Sequence, residues 1–504
     1  MLFNSWEFLV FFPVVVLVYF LIPKKVKYLW LLVTSYYFYM CWNPKYILLI
    51  AFSTAATYAS GLLLDGINAR RQAGSLPEKQ AIRRRKLVVA GCFLVNLLIL
   101  AFFKYWAFLL NNFNAVMGRL GFGTIENRFS FVLPVGISFY TFQALSYTMD
   151  VYRGDIAAER NFFKYALFVS FFPQLVAGPI ERSGNLLADI HDIPNKKLWD
   201  YDRITRGLTL MLYGMFMKLV IADRVCVFVD SVFDGFGACG SGVLWAAACG
   251  FALQIYCDFA SYSTIAIGAA KVMGFTLMEN FDTPYFARSI KEFWRRWHIS
   301  LSTWFRDYLY IPLGGSRCSR SRRYFNLMVV FLVSGLWHGA GWHFVAWGCL
   351  HGLYQVLGDM LAPARDRVVA LLRVNRDSRA HKLFQTLLTC AMVTVAWVLF
   401  RADTMSEALG YLRRMFAFVP PTGEAGLFDF GMDGVEWVVL LCAMSILFAF
   451  SLARYRRHET PDAFLAGRRL PVRWVVLYAL LFGILIFGKY GPAYEQQAFI
   501  YFQF

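Results

Sequence analysis

Hydrophobic positions along this chain gather into long runs separated by short polar stretches, and the pattern holds from one end to the other. Runs with the length of a membrane span, about 20 apolar residues with some shorter, lie near 8–22, 28–42, 46–64, 87–109, 130–150, 208–226 and 244–268. Others lie near 324–337, 342–362, 383–401, 436–453 and 474–489. The pattern predicts an all-α fold, a polytopic transmembrane helical bundle of about twelve crossings. No polar block of domain size interrupts it, so 1–504 reads as one membrane domain. Two stretches break the rhythm. Residues 160–181 are apolar but contain Pro173 and the turn Gly178-Pro179, which predicts a re-entrant or broken helix. Residues 281–315 mix aromatics with Arg288, Lys291, Arg295, Arg296, Arg306 and Asp307. Such a segment cannot face lipid and belongs at an interface or in a protein-lined cavity. No internal repeat is evident, so the inverted-repeat signature of many secondary transporters is missing.

Composition sharpens this picture. Of 504 residues, 59% are hydrophobic and 16% charged, with a mean hydropathy of +0.49. Soluble domains carry about 25% charged residues. Ten cysteines are scattered singly, with no CxxC pair, so neither a disulfide scaffold nor a zinc ribbon is supported. The first apolar run lacks a basic leader and a small-residue cleavage site, which predicts a retained span. The net charge of +18 would suggest nucleic acid in a soluble protein. Here it maps to loops, and basic loops mark the cytoplasmic side. Loop 66–86 has seven Lys/Arg against one acid, 314–323 has four against none, and 363–382 and 454–473 have six each against two. Loop 231–243 has no basic residue, and 402–434 has two against five acids. Placing every basic loop in the cytoplasm puts both termini outside.

The most informative titratable residue is His338, in Val333-Ser-Gly-Leu-Trp-His-Gly-Ala-Gly-Trp342. If its helix enters the membrane near Tyr324, His338 lies roughly 21 Å deep in a hydrocarbon core of about 30 Å. Gly339 and Gly341 should then break the helix. Broken backbone and a titratable group at that depth coincide where protein encloses a cavity, and imidazole suits general-base work near neutral pH. The alternative is a core histidine bonded to a neighbouring helix. His298 closes Phe293-Trp-Arg-Arg-Trp-His298, and composition alone slightly favours an interfacial histidine in an aromatic belt there. His343 and His351 follow His338 at spacings that match no HExxH-type site, and no acid lies among them, so no metal is expected. Asp258 sits inside an apolar run, where it can pair with a cation or hydroxyl. Arg295, Arg296 and Arg306 form a solvated face or hold phosphates of a cytosolic donor; spacing alone does not decide. No P-loop, GxSxG elbow or dinucleotide fingerprint occurs.

Four stretches, in order, resemble the membrane-bound O-acyltransferase family (MBOAT), and more narrowly its AlgI-like, alginate O-acetylation branch. They are Leu133-Pro-Val-Gly-Ile-Ser-Phe-Tyr-Thr-Phe142, Ala177-Gly-Pro-Ile-Glu-Arg182, the run from Glu292-Phe-Trp-Arg-Arg-Trp-His298 through Arg306-Asp-Tyr-Leu-Tyr-Ile-Pro-Leu-Gly-Gly315, and Gly335-Leu-Trp-His-Gly-Ala340. The resemblance places the core at about 130–362, with extra C-terminal spans at about 383–489. One departure is visible. The family tends to read Asp-Phe-Ser-Gly-Tyr-Ser-Asp where this chain has Asp258-Phe-Ala-Ser-Tyr-Ser-Thr264, which leaves no acid at Thr264. The resemblance implies a bundle pierced by a tunnel, with the two family histidines at His298 and His338 as catalytic residues. Arg295, Arg296, Arg306, Asp258, Trp297 and Trp337 are donor-site or tunnel candidates. It implies an acyl-CoA or acyl-carrier thioester, with acetyl-CoA as substrate and no bound cofactor. It also implies membrane lipid around the chain and an extracytoplasmic SGNH-type partner (AlgJ/AlgX-like) that modifies an exported polysaccharide. The expected location is the bacterial cytoplasmic (inner) membrane. A related DltB-like branch moves D-alanine instead. A transporter or flippase, and a scaffold subunit without acyl chemistry, are the competing classes; nucleic acid is not an expected partner.

Overall fold

The computed structural model describes all residues except 128, 130–132, 177, 419, 421–426, 492–498 and 500–504, and of Leu427 the backbone only. Every regular element among the described residues is helical. Each of the twelve apolar runs is found in helix, the 130–150 run from Ile137 onward. Among the described residues, six helices have the length and apolarity to cross a membrane: Pro44–Gln72, Glu78–Arg119, Ser241–Val272, Arg379–Arg401, Gly434–Arg457 and Leu470–Phe487. Trp6–Leu21 is apolar but shorter.

Two readings of the polar stretches are corrected. Stretch 66–86 is mostly not a loop: Ile47–Gln72 and Glu78–Arg119 carry most of its basic residues on their ends, leaving a short turn between. At about 1.5 Å per residue the second helix, with 42 residues, runs about 63 Å, twice a hydrocarbon core. Its basic end therefore continues the helix beyond the apolar zone. Stretch 402–434 contains the amphipathic helix Met405–Phe416, started by a capping box between Thr404 and Glu407. Residues 419 and 421–426 of that stretch, like Ala177, lie outside the described set.

The chain divides into two compact units, Met1–Leu208 with Ala266–Met278, and Thr209–Ile265 with Glu279–Phe504. In the first unit, Ile137–Arg153 is buried on nearly every side. Polar side chains lace it and its neighbours together: Ser60 to Thr148 at 2.9 Å, Ser53 to Asn96 at 2.6 Å, and Tyr165 to Thr57 at 2.7 Å. This is how helices associate where the surroundings are as apolar as their side chains. The 160–181 stretch is a broken helix. Asn161 caps Phe162–Ser170, Phe171 leaves the helical conformation with ψ of 110°, and Phe172–Leu175 restarts with Pro173 in its first turn.

The second unit is organised by an antiparallel hairpin, Arg320–His338 and Trp342–Met360. A Cβ at Gly335 would lie 2.3 Å from the Phe344 carbonyl oxygen, and one at Gly348 would lie 2.3 Å from that of Phe331. Only glycine lets the two backbones meet this closely. Segment 281–315 folds as short helical pieces, chiefly Ile290–Arg296, Ile299–Phe305 and the wide turn Arg306–Tyr310.

Candidate active site

His338 is the last residue of its helix. The chain leaves in an extended form at Gly339, and Gly341 precedes the next helix. Both glycines leave space that neighbouring side chains occupy. A Cβ at 339 would sit 2.0 Å from the Phe344 ring, and one at 341 would sit 2.4 Å from the His343 imidazole. The reversal is therefore filled by side chains that fold back under it. The His338 ring, 4% exposed, lies within an aromatic shell: Trp337 at 4.9 Å, Trp347 at 5.0 Å and Phe400 at 5.2 Å between centroids.

His298 lies in the junction between Ile290–Arg296 and Ile299–Phe305. Its φ of +43° is in the left-handed region, costly for a residue with a Cβ and held only where the surroundings impose it. The imposing contacts are backbone bonds across a tight pairing, Asp282 N–H to Arg296 O and Ile299 N–H to Asn280 O, both 2.9 Å. The imidazole is 1% exposed. Its Nδ1 lies 3.2 Å from Asn280 Oδ1, and Phe259 meets it edge-on at 4.6 Å. Trp337 lies 6.1 Å away. The Trp337 indole thus neighbours both imidazoles. A buried imidazole can take up and return a proton.

Against this geometry, residues 156–400 match the membrane-bound O-acyltransferase family. The chain is 37% identical to the probable alginate O-acetylase AlgI of Pseudomonas aeruginosa, across 90% of this chain and 82% of that protein. The family follows from that coverage. This chain belongs to the membrane-bound O-acyltransferase family. It is also 35% identical to the peptidoglycan O-acetyltransferase of Helicobacter pylori, over 82% of this chain and 80% of that one. To the teichoic acid D-alanyltransferase of Streptococcus thermophilus it is 26% identical, over 58% of this chain and 75% of the other.

The remaining candidates of this O-acyltransferase fall into different settings. Trp297, 1% exposed, packs against Phe281 and Trp397 at 5.0 Å and stacks on Phe293 at 5.4 Å. It is core under His298. Arg296 is fully engaged: it pairs with Glu292 at 3.0 Å and Asp282 at 3.4 Å, and donates to the Asp282 carbonyl and to Thr283. Arg306 grips its neighbour Asp307 with two bonds, of 2.7 and 3.2 Å. Arg295 is exposed and carries no ion pair among the described residues. Of the three arginines it is the one with its guanidinium unspent. His351 is fully buried and His343 nearly so, and no group of three or more His, Cys, Asp or Glu among the described residues could hold a metal ion.

Asp258 finds its cation in Lys218. The ammonium lies 2.7 Å from Asp258 and 2.8 Å from Asp223, with all three side chains nearly inaccessible. Lys218 sits in the widened turn Met217–Ala222. Such π turns recur at functional positions. Next to it, Arg224 pairs with Glu436, which also binds Lys489 at 2.8 Å. Lys218, Asp223 and Asn280 were not singled out from the sequence. For Lys218 the signal was there: a charge inside the apolar run 208–226 needs a buried partner. Thr264 spends its hydroxyl on the carbonyl of Ala260 at 2.6 Å.

Proposed function

We propose that this protein carries an acetyl group from a cytosolic thioester across the bacterial cytoplasmic membrane to an extracytoplasmic acceptor, for O-acetylation of an exported polysaccharide. The observation that carries the reading is the buried pair His338 and His298, each neighbouring Trp337, inside a chain similar, over most of its length, to alginate and peptidoglycan O-acetylating proteins. In this mechanism the His338 imidazole takes the proton of the attacking hydroxyl as its oxygen adds to the thioester carbonyl. The tetrahedral intermediate then collapses, the C–S bond breaks, and the imidazolium returns the proton to the departing thiolate. An alcohol needs such a base, because it is a poor nucleophile at its own pKa. His298 orients a reactant or supports charge.

The donor is taken to be acetyl-CoA and the direct acceptor an SGNH-type extracytoplasmic protein. Four strongly basic stretches support a cytosolic donor side, with both termini outside. Arg295 supports a phosphorylated donor. A D-alanyl thioester is the second reading, favoured by the similarity to the D-alanyltransferase. Both are tested by incubating purified protein with acetyl-CoA, or with a D-alanyl carrier thioester, and measuring released thiol together with acylated acceptor. The reading expects acetyl transfer by the wild type and none by His338→Ala. Consumption of neither thioester in the presence of acceptor would overturn it.

A further inference from the structure

Asn280 sits where it can decide which nitrogen of His298 carries the proton. Its Oδ1 receives three contacts: the Ser300 backbone N–H at 3.2 Å, the Ser300 hydroxyl at 2.7 Å and His298 Nδ1 at 3.2 Å. A backbone N–H is an obligate donor, so the atom facing it has to be the amide oxygen. The reversed amide would set NH2 against N–H. That fixes the orientation of a group that is otherwise ambiguous. An amide oxygen only accepts, so His298 Nδ1 has to be the donor.

We infer that Asn280 is a positioning residue that holds neutral His298 in the Nδ1–H tautomer, leaving Nε2 as its lone-pair nitrogen. This rests on the acyl-transfer reading only for its consequence. A neutral His298 then offers the reactants a hydrogen-bond acceptor. It can hold a hydroxyl or an N–H, but it cannot donate to the thioester carbonyl oxygen. Of the roles open to His298, orienting a reactant remains, and stabilising charge on that oxygen is excluded while the ring is neutral.

The neighbourhood supplies its own control. Trp294 donates its indole N–H to His351 Nδ1 at 3.2 Å. Indole is a donor only, so His351 has to be the opposite, Nε2–H tautomer. Two buried histidines of one unit, 53 positions apart in sequence (351 minus 298), are thus set oppositely by one neighbour each.

The test is nitrogen-15 NMR on the full chain in lipid bilayers, labelled at the histidine ring nitrogens, at a pH where the ring is neutral. Spectra of His298→Gln and His351→Gln assign the two signals. The expected result is a protonated Nδ1 for His298 and a protonated Nε2 for His351. Asn280→Leu should bring the Nε2–H form of His298 into view and slow thioester turnover about tenfold, the scale of one buried hydrogen bond. Asn280→Asp, which keeps an acceptor oxygen facing Ser300 and Nδ1, should restore the protonated Nδ1 and turnover above that of the Leu variant. A wild-type His298 found as Nε2–H overturns the inference without any variant having to fold. So does a well-folded Asn280→Leu with wild-type tautomer and turnover. A wild type with Nδ1–H that consumes no thioester leaves the tautomer assignment standing and overturns the acyl-transfer reading instead.

Discussion

His338 and His298 are 4% and 1% exposed, and the contacts described around them differ in kind. Around His338 the described contacts are aromatic packing. Two glycines let the chain reverse against Phe344 and His343, and Trp337, Trp347 and Phe400 enclose the ring. His298 is positioned by directional bonds. A left-handed backbone, two backbone bonds and the Asn280–Ser300 cluster fix it. The difference teaches where each will fail. A site held by packing is sensitive to an added methyl group, because dense interiors have no room to absorb it. A site held by hydrogen bonds is sensitive to a lost acceptor and tolerant of small changes in volume.

The comparison is broken most severely by removing the imidazole of His338. General-base catalysis contributes about 10²–10⁴-fold, so His338→Ala should all but abolish transfer while the protein still inserts and folds. Retention of more than about a tenth of wild-type transfer would move the role elsewhere. Second comes His298→Ala, expected between that variant and wild type in single-turnover rate. Equal loss in both would erase the distinction between a base and an orienting group.

Gly339→Ala then probes shape alone. Its new methyl group meets the Phe344 ring, and overpacking of this kind costs about 1–3 kcal/mol. Thermal unfolding should fall and turnover should drop with every imidazole still present. Unchanged values would mean that the reversal has slack. Ser300→Ala is the matching change on the hydrogen-bonded side. It removes one hydroxyl bond to Asn280 but leaves the backbone N–H, worth about 0.5–1.5 kcal/mol. Turnover should change less than in Gly339→Ala. The smallest effect belongs to His381→Ala, in the first turn of Arg379–Arg401 and outside the aromatic shell of His338, which should leave transfer at the wild-type rate in the same assay.

Much of this was legible along the chain. Apolar runs of span length force helices wherever backbone groups must satisfy one another, so the helix positions followed from hydropathy. The break after His338 followed from its glycines, and the break inside 160–181 from its prolines. The polar stretches were harder. Runs such as 66–86 look like loops because charge ends a hydropathy peak, but charge does not end a helix. The arginines were harder still. Arg296 and Arg295 are adjacent and chemically identical, yet one is spent on Glu292, Asp282 and Thr283 and the other is exposed.

By itself the sequence determined the helical membrane architecture and the family motifs, because periodicity, burial length and local motifs are properties of neighbouring residues. The tertiary structure alone decided which charges cancel and which nitrogen faces which acceptor. Lys218 meets Asp258 across 40 positions, and Asn280 meets His298 across 18. Hydrogen bonds require about 3 Å and a direction. Both are set by how helices pack, and no spacing along the chain encodes them.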